Sequence, residues 1–274
     1  MTQILVLAAG QGTRLRPYTN TTPKALVPLN GIPFFDYLQH SFQVCNLNDI
    51  AVVTGYCQES FVPRLVDQFH NPDFASSNMV YSMFAAKSLF NGEQDIIVSY
   101  SDIIYQPDVL QSVLTTSGDV VVCADTQWES LWRLRMENPL DDAESFVFDE
   151  QHNIQELGKK VTDYRKVMAQ YIGLIKFDAA VTKEIASFYE QLAEKMTPEQ
   201  HRNIYFTDFI QLLIDSGRYK VKASFIERGW VEVDTTDDLA CYEALIAEKA
   251  FEKLGLSESF ISSVTDSHQV QRQE

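Results

Sequence analysis

Residues 4–26 read ILVLAAGQGTRLRPYTNTTPKAL. A short apolar run is followed by Gly10 and Gly12, then by Arg14, Arg16 and Lys24 around a proline-flanked turn. A run this apolar and rich in branched side chains suits a strand covered on both faces, as in the centre of a parallel sheet. A glycine-bearing loop directly behind such a strand turns freed backbone N–H groups toward a ligand. Three further runs share this character: DIAVVTG (49–55), DIIVSYSD (95–102) and DVVVCAD (119–125). Between the first two, IPFFDYLQHSFQVC (32–45) puts Phe34, Tyr37, Leu38, Ser41, Phe42 and Cys45 on one helical stripe, with Pro33 suited to the first turn. Helices are also expected over 58–70 and 79–90. This alternation predicts an α/β fold, a Rossmann-like, doubly wound mixed sheet that is mostly parallel, with right-handed crossovers.

Beyond residue 126 the pattern becomes richer in strands. SFVFDEQHNIQELGKK (145–160) reads as two short strands around a turn, and QYIGLIKFD (170–178) as another strand. Helices are expected near 179–195 and 204–216, then strands in YKVKASFIE (219–227) and GWVEVDT (229–235). Thr236 is expected to cap a last helix whose Leu239, Tyr242, Ile246 and Ala250 share a face. From Gly255 onward the chain is polar and serine-rich, and fraying or loose docking is expected there. The organisation that follows is one domain over 1–254, with a nucleotide-binding half (1–125), a smaller β-rich acceptor-binding half (126–235) and a C-terminal helix (236–254). A polar tail over 255–274 completes it.

The formal net charge of −16 argues against nucleic acid or an anionic membrane as a partner, since both require a basic face. An anionic ligand must then meet positive charge gathered locally, as Arg14, Arg16 and Lys24 gather it. Cys45, Cys57, Cys123 and Cys241 lie far apart in apolar surroundings, the pattern of reduced thiols, and a cytoplasmic location is expected. MTQILVLAAG is too short for a signal peptide and lacks its charged start, and no apolar run reaches the roughly 18 residues of a membrane helix. Apolar residues on the later helices leave a homodimer open beside simple core packing.

The loop matches neither of two common phosphate-binding patterns. G-x-G-x-x-G fails because Thr13, Arg14 and Leu15 follow Gly12, and G-x-x-x-x-G-K-[ST] fails as well. The ordered combination LAAGQGTRLRP…TPKAL instead resembles the signature of nucleotidylyltransferases that activate sugar phosphates and related phosphorylated small molecules. The resemblance implies that Leu7, Ala8, Ala9, Gly10, Gln11, Gly12 and Thr13 wrap a triphosphate. It further implies that Arg14 faces the departing pyrophosphate and that Lys24 reaches the phosphates at the reacting centre. Gly55, Tyr56, Asn78, Ser82 and Ser101 are the nucleoside-side candidates it suggests, although Asn78 also reads as an ordinary helix cap and Gly55-Tyr56 as a turn.

Such chemistry requires a divalent metal, and Mg²⁺ prefers carboxylate oxygens. Asp102 ends the third strand, and Glu232 and Asp234 lie two apart in GWVEVDTTDDL, on one face of a strand. The resemblance makes Asp102 and Asp234 the Mg²⁺ ligands, with Glu232 as a possible second acid, because the W-x-D-x-G-T pattern of the sugar-phosphate branch is absent. Asp237 and Asp238 read as acids of a first helical turn.

The segments QWESLWRLRMENPLDDAE, ELGKK, AQYIGLIKF and YFTDFIQLLI are similar to small-molecule cytidylyltransferases, most closely the phosphoglutamine type. That branch implies CTP as donor and a small phosphorylated acceptor, in the decoration of a surface polysaccharide. Acceptor-side candidates are Tyr100, Trp128, Trp132, Arg133, Lys159, Lys160, Tyr171 and Gly173. The tryptophans either meet a cationic head group or pack the core. Arg133 or Arg135 offers a bidentate partner for a carboxylate, and Lys159 or Lys160 a partner for a phosphate. A sugar-1-phosphate enzyme using UTP or dTTP is the competing reading, and a catalytically spent nucleotide-binding regulator is a third.

Overall fold

The computed structural model describes residues 2–64 and 66–271. The first half runs β1 (Thr2–Ala8), β2 (Pro28–Leu29), β3 (Ile32–Pro33), α1 (Phe34–Val44), β4 (Ile50–Thr54), β5 (Asp67–His70), α2 (Met79–Ala85), β6 (Asp95–Tyr100), β7 (Ile103–Tyr105), α3 (Pro107–Thr115) and β8 (Val120–Asp125). Next come α4 (Trp128–Arg135), β9 (Glu144–Phe148), β10 (Ile154–Lys160), β11 (Gln170–Phe177), α5 (Ala179–Leu192), α6 (Pro198–Arg202) and α7 (Phe206–Asp215). The chain closes with β12 (Val221–Ile226), β13 (Trp230–Glu232), α8 (Thr236–Ala247), α9 (Phe251–Leu254) and α10 (Glu258–Gln271).

Seven strands form the central sheet in the order β12-β8-β11-β6-β1-β4-β5. β11 is antiparallel to both of its neighbours, and the other adjacent pairs are parallel, so the expected mixed, mostly parallel sheet is present. Alternate residues of β1 divide between two cores. Ile4, Val6 and Ala8 pack on one face, and Leu5, Leu7 and Ala9 on the other. That two-sided burial is why the run lacks polar alternation.

Register carries the carboxyl ends of the parallel strands to one edge, with Ala8 beside Thr54 and Leu7 beside Tyr100. The loop after β1 and the Ser101–Asp102 turn therefore emerge together, where open α/β sheets bind ligands. A small ribbon brings in the distant acids. β13 pairs antiparallel with β7, Glu232 lies opposite Ile103, and the Val233 amide donates to the Asp102 carbonyl at 2.9 Å.

Four local expectations are corrected. Residues 58–70 are not one helix: a 3₁₀ segment, Gln58–Arg64, precedes the edge strand β5, and Pro63 within it blocks regular helical bonding. Pro33 lies just outside α1, as its cap. α8 is capped by Thr235, whose hydroxyl accepts from the Asp238 amide while Asp238 reaches back to the Thr235 amide. The tail does not fray over its described part. Residues 258–271 are the helix α10, whose Phe260, Ile261 and Val264 are buried against the core that includes α1.

Candidate active site

Gly12 shapes the loop after β1. Its φ of +56° suits glycine, and a Cβ there would lie 3.0 Å from the Lys24 Cβ. Thr19 closes the loop by donating its hydroxyl to the Gly12 carbonyl at 2.8 Å. Tyr56 braces it from outside, donating to the Asn20 carbonyl at 2.6 Å, and Gly55 packs against the Ala9 carbonyl.

The compact loop delivers Lys24 to the acids. Its ammonium lies 2.9 Å from Asp102 Oδ2 and 2.5 Å from Asp234 Oδ1, and Arg14 Nη2 approaches Asp234 Oδ1 at 3.1 Å. Arg135 arrives from the last turn of α4, with its side chain only 4% exposed. It pairs with Glu232, with Asp234 Oδ2 at 3.2 Å and with Asp238 Oδ1 at 3.2 Å. Buried charges persist only when paired and hydrogen-bonded, and here each cation meets at least one carboxylate.

Electrostatics differentiate the acids. Burial raises the Asp234 carboxyl, but Lys24, Arg14 and Arg135 outweigh burial and hold it below its usual range. Burial and the neighbouring Asp234 charge push Glu232 up to about 8, against the pull of Arg135. Burial lowers Lys24, and Asp102 and Asp234 more than restore it, so its ammonium is held above its usual value. Carboxylate oxygens of Asp102, Glu232 and Asp234 lie within 4.8 Å of one another, and Asp102 Oδ1 is buried with no hydrogen-bond partner among the described residues.

Two cavities meet at this cluster. One, of about 240 Å³, is lined by Leu7, Ala9, Gly10, Gly12, Arg14, Lys24, Asn78, Ser82, Ser101, Asp102 and Asp234, together with Phe74, Ser77 and Met79. The other, of about 200 Å³, is lined by Tyr100, Trp132, Tyr171, Gly173, Glu232 and Asp234, together with Met79, Asp142, Glu144, Gln170, Ile172, Tyr205, Phe206, Thr207 and Trp230. Asp234 and Met79 belong to both. At Gly173, where φ is +86°, an added Cβ would lie 2.6 Å from the Tyr100 ring, so the residue lets the two strands close the cavity floor.

Residues 4–173 match the MobA-like NTP transferase domain. The chain belongs to this family. It is 35% identical over 246 residues to the CTP:phosphoglutamine cytidylyltransferase of Campylobacter jejuni, a span covering 86% of this chain and 96% of that relative. It is 26% identical over 257 residues to the 2-aminoethylphosphonate cytidylyltransferase of Lancefieldella rimae, covering 88% and 92% of the two chains. The solved structure of CTP:phosphocholine cytidylyltransferase from Streptococcus pneumoniae superposes with a TM-score of 0.69 at 22% identity, covering 89% of this chain and 99% of that one. The class of enzyme expected from the loop is thus the class to which the chain belongs.

Some expected residues of this NTP transferase lie away from the cavities. Ala8 faces the opposite core, and Gln11, Thr13, Gly55 and Tyr56 shape the loop without lining the cavity. Asn78 caps α2 by accepting from the Met79 amide at 2.8 Å, so both readings of it hold in part. Trp128 stacks on Tyr164 and donates to the Val167 carbonyl, which is core packing. Arg133 is exposed and paired with Glu129, Lys159 is exposed and paired with Glu156, and Lys160 is exposed. None of these four lines the second cavity, because their helix or hairpin turns them toward solvent or the core.

Sequence reasoning missed Asp142, Glu144 and Thr207, and left Arg135 as one of two alternatives. The available signal was the three-residue step from Trp132 to Arg135, which keeps both on the inward face of α4. For Asp142 and Glu144 no local signal exists, since acids beside a hairpin are ordinary surface residues.

Proposed function

We propose that this chain transfers CMP from CTP to a small phosphorylated acceptor, releasing pyrophosphate. The observation that carries the reading is the meeting of two cavities at Asp234, one walled by the basic glycine loop and the other by aromatic and acidic side chains. CTP as donor and a phosphorylated amine as acceptor are supported by the printed activities of the relatives, to which the chain is similar over most of its length. We place the reaction in the cytoplasm, in the service of surface-polysaccharide decoration, as the resemblance of the sequence implies.

A divalent ion fits the acidic cluster. Asp102, Glu232 and Asp234 offer the hard oxygen donors Mg²⁺ prefers, and Asp102 Oδ1, partnerless among the described residues, is an acceptor in want of a cation. Such an ion, when bound, neutralises triphosphate charge and polarises the α-phosphoryl group. The chain's residues do the rest. Amides of the loop around Gly10 and Gly12 and the Arg14 guanidinium receive the β- and γ-phosphates, and Lys24 compensates charge developing at the α-phosphorus. An acceptor phosphate oxygen attacks that phosphorus, the bond to the β-phosphate oxygen breaks, and pyrophosphate leaves with the electron pair. The attacking phosphate is already ionised near neutral pH, so no general base is required. Catalysis rests on positioning and charge.

The test is pyrophosphate release measured for four triphosphates against phosphoglutamine, phosphocholine, 2-aminoethylphosphonate and glucose-1-phosphate. CTP with a phosphorylated amine should dominate, and Asp102→Asn should lower release at least about 100-fold. Turnover of glucose-1-phosphate with UTP or dTTP alone would overturn the reading.

A further inference from the structure

The ionisable carboxyls in the wall of the second cavity have no basic side chain among them in the described lining. Among the described residues the cavity's charged lining side chains are Asp142, Glu144, Glu232 and Asp234, with no lysine, arginine or histidine. Glu232 and Asp234 are matched by Arg135 and Lys24, but among the described residues neither Asp142 nor Glu144 forms an ion pair. Asp142 Oδ2 accepts from the Trp132 indole N–H at 3.1 Å, and Thr207 lines the cavity together with Glu144. Beside them, the buried Gln170 accepts from the Glu144 amide at 3.3 Å. Among the described residues this wall offers two carboxyls and no cation.

The aromatic side chains do not make an open cage. Trp132 is set edge-on against Trp128 at 5.8 Å and tilted against Trp230 at 6.0 Å, and the Arg135 guanidinium already lies 5.5 Å from its ring centre. Tyr100 is edge-on to both Tyr171 and Phe206, at 5.7 Å in each case. A quaternary ammonium is recognised by free ring faces, whereas an ammonium with N–H groups is recognised by oriented oxygen acceptors.

We propose that Glu144, with Asp142 beside it, reads an N–H-bearing ammonium group on the acceptor, so that the substrate class is a phosphorylated primary amine rather than a quaternary one. The inference rests on the cytidylyltransferase reading and assigns the specificity of its acceptor cavity. Such an acceptor is matched at both ends, its phosphate toward Lys24 and Arg14 where the cavities meet at Asp234 and its ammonium toward the Asp142–Glu144 wall. Burial, and then the charges of Asp142 and Asp208, push the Glu144 carboxyl up to about 7 against the pull of Thr207, and an ammonium beside it would favour its ionised form. A trimethylammonium group, having no N–H, would bury the Glu144 carboxyl without giving it a donor, which costs a desolvation penalty. An uncharged sugar would leave the wall unneutralised.

Phosphoethanolamine and phosphocholine differ only in three N-methyl groups and make the test. With the full-length protein, CTP and Mg²⁺, kcat/KM for phosphoethanolamine should exceed that for phosphocholine at least about 10-fold, the scale of one charge-assisted hydrogen bond. Glu144→Gln should lower the phosphoethanolamine value about 30-fold, narrow the ratio to under about 3, and leave KM for CTP within about 2-fold. Equal use of the two acceptors by the wild type overturns the proposal. So does an equal loss of both in Glu144→Gln with KM for CTP intact. Equilibrium binding of the same two molecules, read by tryptophan fluorescence, separates this proposal from the catalytic one. A preference for phosphoethanolamine without any pyrophosphate release would sink the transferase reading and sustain the ammonium reader, whereas equal binding would sink the reader.

Discussion

Lys24 stands between two carboxylates of the acidic cluster proposed to hold a divalent ion, so such an ion would contend with the ammonium for the same charge. Removing the ammonium should therefore separate binding from turnover. Lys24→Met is expected to tighten Mn²⁺ binding several-fold, measured by electron paramagnetic resonance titration, because a competing cation is gone. The same variant should lose at least about 100-fold in single-turnover pyrophosphate release, because a donor aimed at developing charge is gone. A variant that loses metal affinity and activity together would contradict this account. Arg135 shows the complementary lesson. Its neighbour Arg133 carries the same group two positions earlier, yet one is exposed and the other is sealed among three acids. A two-residue step on a helix turns a side chain to another face, and only the surroundings of that face decide its role.

At the scale of elements, the β7–β13 ribbon joins residues more than a hundred positions apart by three register pairs, and so places Asp102 beside Asp234. The sequence shows both acidic strand ends, but nothing local announces their pairing. α10 is the opposite case. Its serine-rich composition reads as a solvated tail, because Phe260, Ile261 and Val264 are few among polar neighbours. Those three are nonetheless buried, with the Phe260 ring 6.1 Å from Tyr37 and 6.0 Å from His40 of α1, and Ser263 bonded to His40 at 3.0 Å. α1 carries the partner surface, so helix formation there depends on docking rather than on intrinsic propensity. Phe260→Ala should destabilise the protein by about 3 kcal/mol in urea unfolding. Pyrophosphate release at 25 °C should stay unchanged, since no α10 residue lines either cavity. Unchanged stability would mean that the helix does not dock.

At the scale of the whole molecule, a net charge of −16 coexists with a cleft whose first cavity holds Arg14 and Lys24 beside its acids and whose second, among the described residues, has acids as its only charged side chains. Stability should report that arrangement through pH. The Glu144 carboxyl titrates near 7 in the folded chain, against an ordinary value of 4.5, so the folded state binds its proton more tightly than the unfolded state. The stability it contributes is complete below the unfolded value and is lost as pH rises through the folded one. Wild type should therefore lose thermal stability relative to Glu144→Gln, which does not titrate, between about pH 5 and pH 8. A constant difference in Tm across that range would show that Glu144 is not held in this environment.

Much of this protein was legible along the chain. Two-sided burial of β1, β4, β6 and β8 leaves unbroken apolar runs, so the sheet could be read in order, and the ordered glycines and cations behind β1 carried the resemblance that implied the enzyme class. Asp102 and Asp234 were visible as strand-end acids for the same reason. What only the tertiary structure decided is which residues face one another across the cleft. It seated Arg135 rather than Arg133 among the acids and set Lys159 and Lys160 out in solvent. It also gathered Asp142, Glu144 and Thr207 around a cavity that no contiguous segment encodes. Secondary-structure periodicity is written in neighbouring residues, whereas a binding wall depends on strand order and long-range register, which no short window of sequence contains.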